Sequence, residues 1–198
     1  HPPNIHNMIK NKDTSNEGIY EFTFFMNAFP LSVIIDNRLP LTAQELPINA
    51  QLTSDDAQWM VLLEKAFAKI SVNYANLNRG HVQEALRMLT GSPVITYQLK
   101  ELNSTQVFAM VAERSRQNET VVAQCGPAKY GLVRGQTYTV IAAISIEGDG
   151  RAPRNMIKLR NPLFKGTYTG PWHEDDGRWT NAYKVAAGYT QAEDNFFF

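Results

Sequence analysis

The side chains able to do covalent or acid–base chemistry are few: a single cysteine and four histidines among 198 residues. Cys125 closes the run Thr120-Val121-Val122-Ala123-Gln124-Cys125 and is followed by Gly126-Pro127. A cysteine nucleophile needs a neighbour that lowers its pKa and later gives a proton to the leaving amine. Imidazole does both near neutral pH. No His or Arg stands near Cys125 in sequence, so it reads as a buried or half-buried, inert thiol. His1 and His6 lie in a polar lead-in without the Cys or carboxylate set a metal requires. His81 opens a short helix at the surface, and His173 opens an acidic turn.

Two amide side chains mark the richer stretch, Tyr130 to Trp172. It runs Gly131-Leu132-Val133-Arg134-Gly135-Gln136-Thr137-Tyr138-Thr139-Val140-Ile141-Ala142-Ala143, crosses a turn rich in Gly, Asp and Arg, and resumes as Asn155-Met156-Ile157-Lys158-Leu159-Arg160-Asn161-Pro162. β-branched and apolar residues between Gly and Pro breakers predict strand–turn–strand. Tyr168-Thr169-Gly170-Pro171-Trp172 follows. Taken alone, Asn161 is a polar residue before proline at a strand end.

Together these segments resemble the second half of the calpain catalytic core, a papain-like cysteine protease. That family writes Leu-Val-Lys-Gly-His-Ala-Tyr-Ser-Val, then Arg-Asn-Pro-Trp-Gly, then Trp-Thr-Gly-x-Trp. Its His is the catalytic base and its Asn orients the ring. The resemblance places Asn161 at the Asn position and Gln136 at the His position. An amide hydrogen-bonds but does not titrate near neutral pH. Leu163 stands where the family carries a shielding Trp. Gly135 and Leu163 are then expected to line the cleft. The family nucleophile, in Gln-Gly-x-x-Gly-Asp-Cys-Trp, has no counterpart here, and Cys125 is not in that setting. Active members bind calcium through carboxylates after the second Trp and in a later acidic stretch. Glu174 and Asp194 fall at two of those places, while Thr167 replaces a family Glu and Asn195 interrupts the second cluster. A hard cation needs about six to eight oxygens. Calcium on Glu174 and Asp194 is the one cofactor candidate; otherwise no cofactor is implied.

The positioning elements read as follows. Gly18 to Phe25 and Leu31 to Asp36 predict two strands around a turn at Asn27 to Pro30, with Pro30 at an edge or a strand entry. This resembles the family's Gly-Ile-Phe-x-Phe … Val-Val-Val-Asp-Asp-Arg-Leu-Pro. Asp36 and Arg38 are expected to form a local ion pair. Ser54-Asp55-Asp56 predicts a helix start, and Trp59, Leu62, Leu63, Ala66, Phe67 and Ile70 form one apolar face. Glu64, Lys65 and Lys69 lie off it. Val82 to Leu89 predicts a short helix ended by Thr90-Gly91-Ser92-Pro93. Val94 to Leu99 reads as a strand. Ser104 to Gln117 reads as a helix capped by Asn103 or Ser104, and Thr120 to Cys125 as a strand.

Composition bounds the rest. Basic and acidic residues balance at 19 each, which gives no electrostatic footprint for nucleic acid. No apolar run reaches the roughly 18 residues of a membrane helix, so no membrane insertion is expected. Residues 1–16 are polar and lack the apolar centre of a signal peptide. One cysteine excludes an internal disulfide framework and fits a reducing compartment. The Asn-x-Ser/Thr triplets at Asn103 and Asn118 are then chance matches.

The expected fold is α+β, a papain-like calpain core. Residues 1–92 form the C-terminal part of the first, nucleophile-bearing lobe. Residues 93–198 form the second, antiparallel-β lobe with flanking helices. The expected function is a calpain-like module without a complete triad, binding other proteins within a larger assembly in the cytoplasm, on the cytoskeleton or in a cilium. The alternatives are a fragment of an active calcium-dependent endopeptidase, and a cleft that binds peptides without cutting them.

Overall fold

The computed structural model describes residues 8–10, 17–50, 52, 57–148, 150–162, 168–189 and 196–197. It mixes helices with antiparallel sheets, the α+β class expected, and divides into two compact units, His1–Thr96 and Tyr97–Phe198. The predicted boundary at 92 falls just short of that division.

Unit 1 is built on a hairpin. β1 (Ile19–Met26) pairs antiparallel with β2 (Phe29–Asp36) from Ile19↔Asp36 to Met26↔Phe29. The turn needs positive φ at both central residues, and Asn27 and Ala28 have φ of 50° and 67°. Alternation then sends Tyr20, Phe22, Phe24, Val33 and Ile35 to one buried face. Helix α1 (Trp59–Ile70) covers that face with Leu62 and Ala66, and Phe67 meets Phe24 edge-to-face at 5.8 Å. The polar lead-in contributes more than its composition suggests: Met8 is buried in this core and Ile9 bridges Phe22.

The polar residues of α1 tie down neighbouring loops. Glu64 accepts from Asn49 Nδ2 at 3.1 Å and from the Ala50 amide at 2.7 Å. Lys65 Nζ donates to the Asp36 carboxylate and to the carbonyls of Asp36 and Arg38. Asp36 therefore pairs with Lys65, not with the expected Arg38 guanidinium; Arg38 supplies its backbone amide at 2.7 Å. The Lys65 ammonium first, then that amide, holds the Asp36 carboxyl below the usual range. The predicted helix start at Ser54-Asp55-Asp56 lies outside the described residues.

A 3-10 turn, Tyr74–Arg79, leads to α2 (Val82–Thr90). Gly91 ends α2 in the left-handed region at φ 68° and returns its amide to the Arg87 carbonyl at 2.8 Å. Val94 to Leu99 is not a strand. It is an extended connector with Ile95, Tyr97 and Leu99 exposed, running into a 3-10 turn at Leu99–Glu101. β-branched content gave the expectation, but no described strand offers it a ladder, and Pro93 removes an amide at its start.

Unit 2 is a four-stranded antiparallel sheet in the order β3 (Val121–Gln124), β4 (Thr137–Gly148), β5 (Arg151–Arg160), β6 (Phe196–Phe197). β4 begins and ends later than the predicted run Gly131 to Ala143, β5 begins earlier than Asn155, and Gly148 pairs with Arg151. Helix α3 (Ser104–Arg116) starts in a capping box: Gln106 N–H donates to Asn103 Oδ1 and Asn103 N–H donates to Gln106 Oε1, each at 2.9 Å. Helix α4 (Asn181–Ala186) brings Tyr183 onto Ile146 and Met156.

Gly91→Ala is expected to destabilise unit 1 by about 1–2 kcal/mol from the left-handed backbone alone. The loss should be larger still, because the added Cβ would stand 2.8 Å from the Phe25 ring. Chemical denaturation of the two proteins checks this; equal midpoints would refute it.

Candidate functional site

The site is built where β4 begins. Gly135 has φ 78°, and the Gln136 amide donates to the Val133 carbonyl at 3.1 Å. That is a type II turn, which requires glycine at its third position. The Gly135 amide donates to the Cys125 carbonyl and the Cys125 amide to the Gln136 carbonyl, both at 2.9 Å. Two residues on one strand thus face one on the other, a bulge whose first residue is a left-handed glycine. A Cβ on Gly135 would meet nothing within 4 Å, so the glycine is demanded by backbone conformation and not by space. Gln124 Nε2 adds a bond to the Gly135 carbonyl at 3.1 Å.

Gln136 is half-buried, and its Nε2 donates to the Thr137 carbonyl at 2.9 Å. Tyr138, two residues on, is buried, and its hydroxyl accepts from the Val133 amide at 3.1 Å. Asn161 directly follows Arg160, which pairs with Thr139. The fold therefore sets the exit of β5 beside the start of β4 and brings Gln136 and Asn161 to adjacent strand ends. Leu163 lies outside the described residues, as do Asp194, His1 and His6. Cys125 is half-buried, as expected, with Sγ 3.5 Å from the Pro127 carbonyl. Sequence distance concealed that its backbone pairs directly with Gln136; hydrogen-bond register, not spacing, makes them neighbours.

Chemically, position 136 holds an acceptor and donor with no titratable proton. Nothing described there can act as a general base at neutral pH.

The acidic turn is held by its own backbone amides. Asp176 is its anchor. Its carboxylate accepts from the Trp172 amide at 2.6 Å and the Arg178 amide at 3.0 Å, with the Arg178 guanidinium 3.4 Å away. The Arg178 amide first, then the Trp172 amide, hold the Asp176 carboxyl below its ordinary value. These bonds fix Trp172 at φ 67°, an uncommon conformation for so large a residue. Trp179 packs on Trp172 at 5.0 Å and donates its indole N–H to the Trp172 and His173 carbonyls. Tyr183 meets Trp172 at 5.9 Å, and Arg154 lies over the Trp172 ring. Glu174 faces Tyr189, whose hydroxyl is raised by burial first and by Glu174 second. Among the described residues no three His, Cys, Asp or Glu side chains gather as a metal site.

The Asp176 clasp went unread in the sequence because an acid among acids looks like a solvated turn. The one available signal is the spacing Asp176-Gly177-Arg178, an acceptor followed two residues later by an amide it can cap.

Comparison with known proteins follows this geometry. The profile of the calpain family cysteine protease domain matches residues 1–198. The chain is similar to calpain-14 of Homo sapiens, 31% identical over 166 residues, covering 82% of this chain and 24% of the relative. It is similar to calpain-9 of Mus musculus, 27% identical over 194 residues, covering 91% of this chain and 28% of the relative. It is also similar to calpain-A of Drosophila melanogaster, 29% identical over 198 residues, covering 91% and 23%. The chain thus spans about a quarter of the length of these curated relatives.

Asp176→Ala is expected to lower the melting temperature, with the tryptophan fluorescence changing first. The native stability it removes is also pH-dependent. A carboxyl whose folded pKa is depressed stabilises fully above its unfolded pKa, near 3.9, and loses that contribution as pH falls through the folded value. The gap between native and Asp176→Ala stabilities should therefore be constant from pH 5 to 7 and shrink below about pH 4. A gap independent of pH down to acid unfolding would refute it.

Proposed function

Because the chain belongs to the calpain family of cysteine proteases, we propose that it is a calpain core module that has given up catalysis. It serves instead as a structural or protein-binding part of a larger intracellular assembly, on the cytoskeleton or in a cilium. The observation that carries this reading is Gln136 in the place of the family His. The turn, the bulge and the strand that present this position are intact, and Asn161 stands at the neighbouring strand end. At position 136 what is lost is the proton carrier, and Leu163 in place of the family Trp is a second departure beside it. A positioned general base contributes about 10²- to 10⁴-fold to such a reaction, and an amide supplies none of it.

The module's partners are other proteins, with neither nucleic acid nor membrane insertion involved. Balanced charge supports the first exclusion; no described helix is long and apolar enough to cross a membrane. A reducing compartment agrees with the single thiol. Calcium is not required by this role. The competing reading, a segment of an active calcium-dependent endopeptidase, needs a base from outside position 136.

A peptide-cleavage assay on the full-length protein, with and without millimolar calcium, tests both. No turnover above buffer is expected in either condition. If a nucleophile is present in the full-length protein, Gln136→His should raise turnover by about 10²- to 10⁴-fold. Native turnover abolished by replacing a cysteine would overturn the non-catalytic reading. Imaging of the tagged protein checks the location, and a secreted or diffuse nuclear pool would count against it.

A further inference from the structure

We propose that Lys65 and Lys69 guard the outer edge of β2, and that without them β2 adds a strand from a second copy of this chain. In an antiparallel pair, alternate residues turn their backbone groups away from the partner strand. Ile34 and Asp36 belong to that set on β2, because their carbonyls accept from Lys69 Nζ at 2.6 Å and Lys65 Nζ at 3.1 Å. Ser32 and Pro30 lie in phase with them. Pro30 has no N–H to offer at all. An edge of outward carbonyls and amides is a template for another chain unless it is blocked. Leu31-Ser32-Val33-Ile34-Ile35-Asp36, which follows Pro30, has the apolar, β-branched composition that makes this hazard acute, and Ile34 is 54% exposed.

The register defines what would be added. Two β2 strands related by a two-fold axis at Ile34 would pair Ile34 with its own copy, and Ser32 with Asp36 in both directions. Such an isologous contact closes on itself as a dimer. Its ladder draws on the carbonyls of Ser32, Ile34 and Asp36 in each copy. Of these three, the lysines occupy two, at Ile34 and Asp36. Lys65 also spans to the Arg38 carbonyl, so its ammonium lies across the end of the strand. A second strand would have to displace both ammoniums or bury them, and burying an unpaired charge is costly. The same axis would bring two exposed Ile34 side chains together, a favourable cross-strand pair once the ammoniums are gone.

The test is Lys65→Met with Lys69→Met in the full-length protein, measured beside its parent by sedimentation equilibrium and light scattering. The double variant is expected to reach twice the parent's mass, with self-association tightened about tenfold or more. Adding Ile34→Lys, which places a charge on the axis, should return it to the parent's mass. An unchanged mass with native far-UV circular dichroism would overturn the proposal. So would a mass gain that Ile34→Lys leaves in place, which would mark non-specific exposure of apolar surface. If the double variant does not fold, Lys69→Met alone is read the same way, since it spares the Lys65–Asp36 pair.

Discussion

The register of β4 is the constraint on which unit 2 depends. β4 is flanked by β3 and β5 and receives helices α3 and α4. Its starting point is set by the bulge at Gly135, where Cys125 is bonded on both its amide and its carbonyl. A slip of one residue would exchange the faces of the strand. Tyr138 would leave its buried position and lose the Val133 amide. The left-handed glycine therefore sets the start of β4 against β3, and the residue after it inherits a fixed position.

Unit 1 solves a different problem with similar means. A two-stranded sheet is marginal alone and needs a cover. α1 supplies it through Leu62 and Ala66; the absence of bulk at Ala66, which is fully buried, admits the aromatic row of β1. The off-face polar residues of α1 then hold the loops on either side, Glu64 at Asn49 and Ala50, Lys65 at Asp36 and Arg38. One helix thus closes the core with one face and fastens the chain with another.

Much of this was legible in the sequence, and the failures share a cause. The hairpin, the face of α1, the Gly91 stop, the capped start of α3 and the β4–β5 pair all rest on local signals: periodicity, turn residues, caps. The half-buried thiol at Cys125 was legible in the same way. What escaped depends on residues far apart in the chain. Met8 and Ile9 find their partners on β1, Asp36 finds Lys65 rather than Arg38, and Val94 to Leu99 finds no strand to pair with among the described residues. Within the candidate site, Gln136 and Asn161 could be named from the resemblance, but the pairing of Cys125 with Gln136 could not, because register is a property of two strands together. Asp176 was hidden for a related reason: its ligands are backbone amides, which no residue type reveals.

The bulge has one more consequence, for the history of the site. At position 136 the structural duties fall on the main chain, whose amide and carbonyl are both bonded. The side chain's described bond is to the adjacent Thr137 carbonyl, within its own strand. Folding therefore places little selection on the identity of that side chain, and the scaffold persists whichever residue occupies it. Histidine and glutamine codons differ only in their third base. A lineage can thus lose or regain its proton carrier by a single nucleotide change, while the architecture that would display it is inherited unaltered.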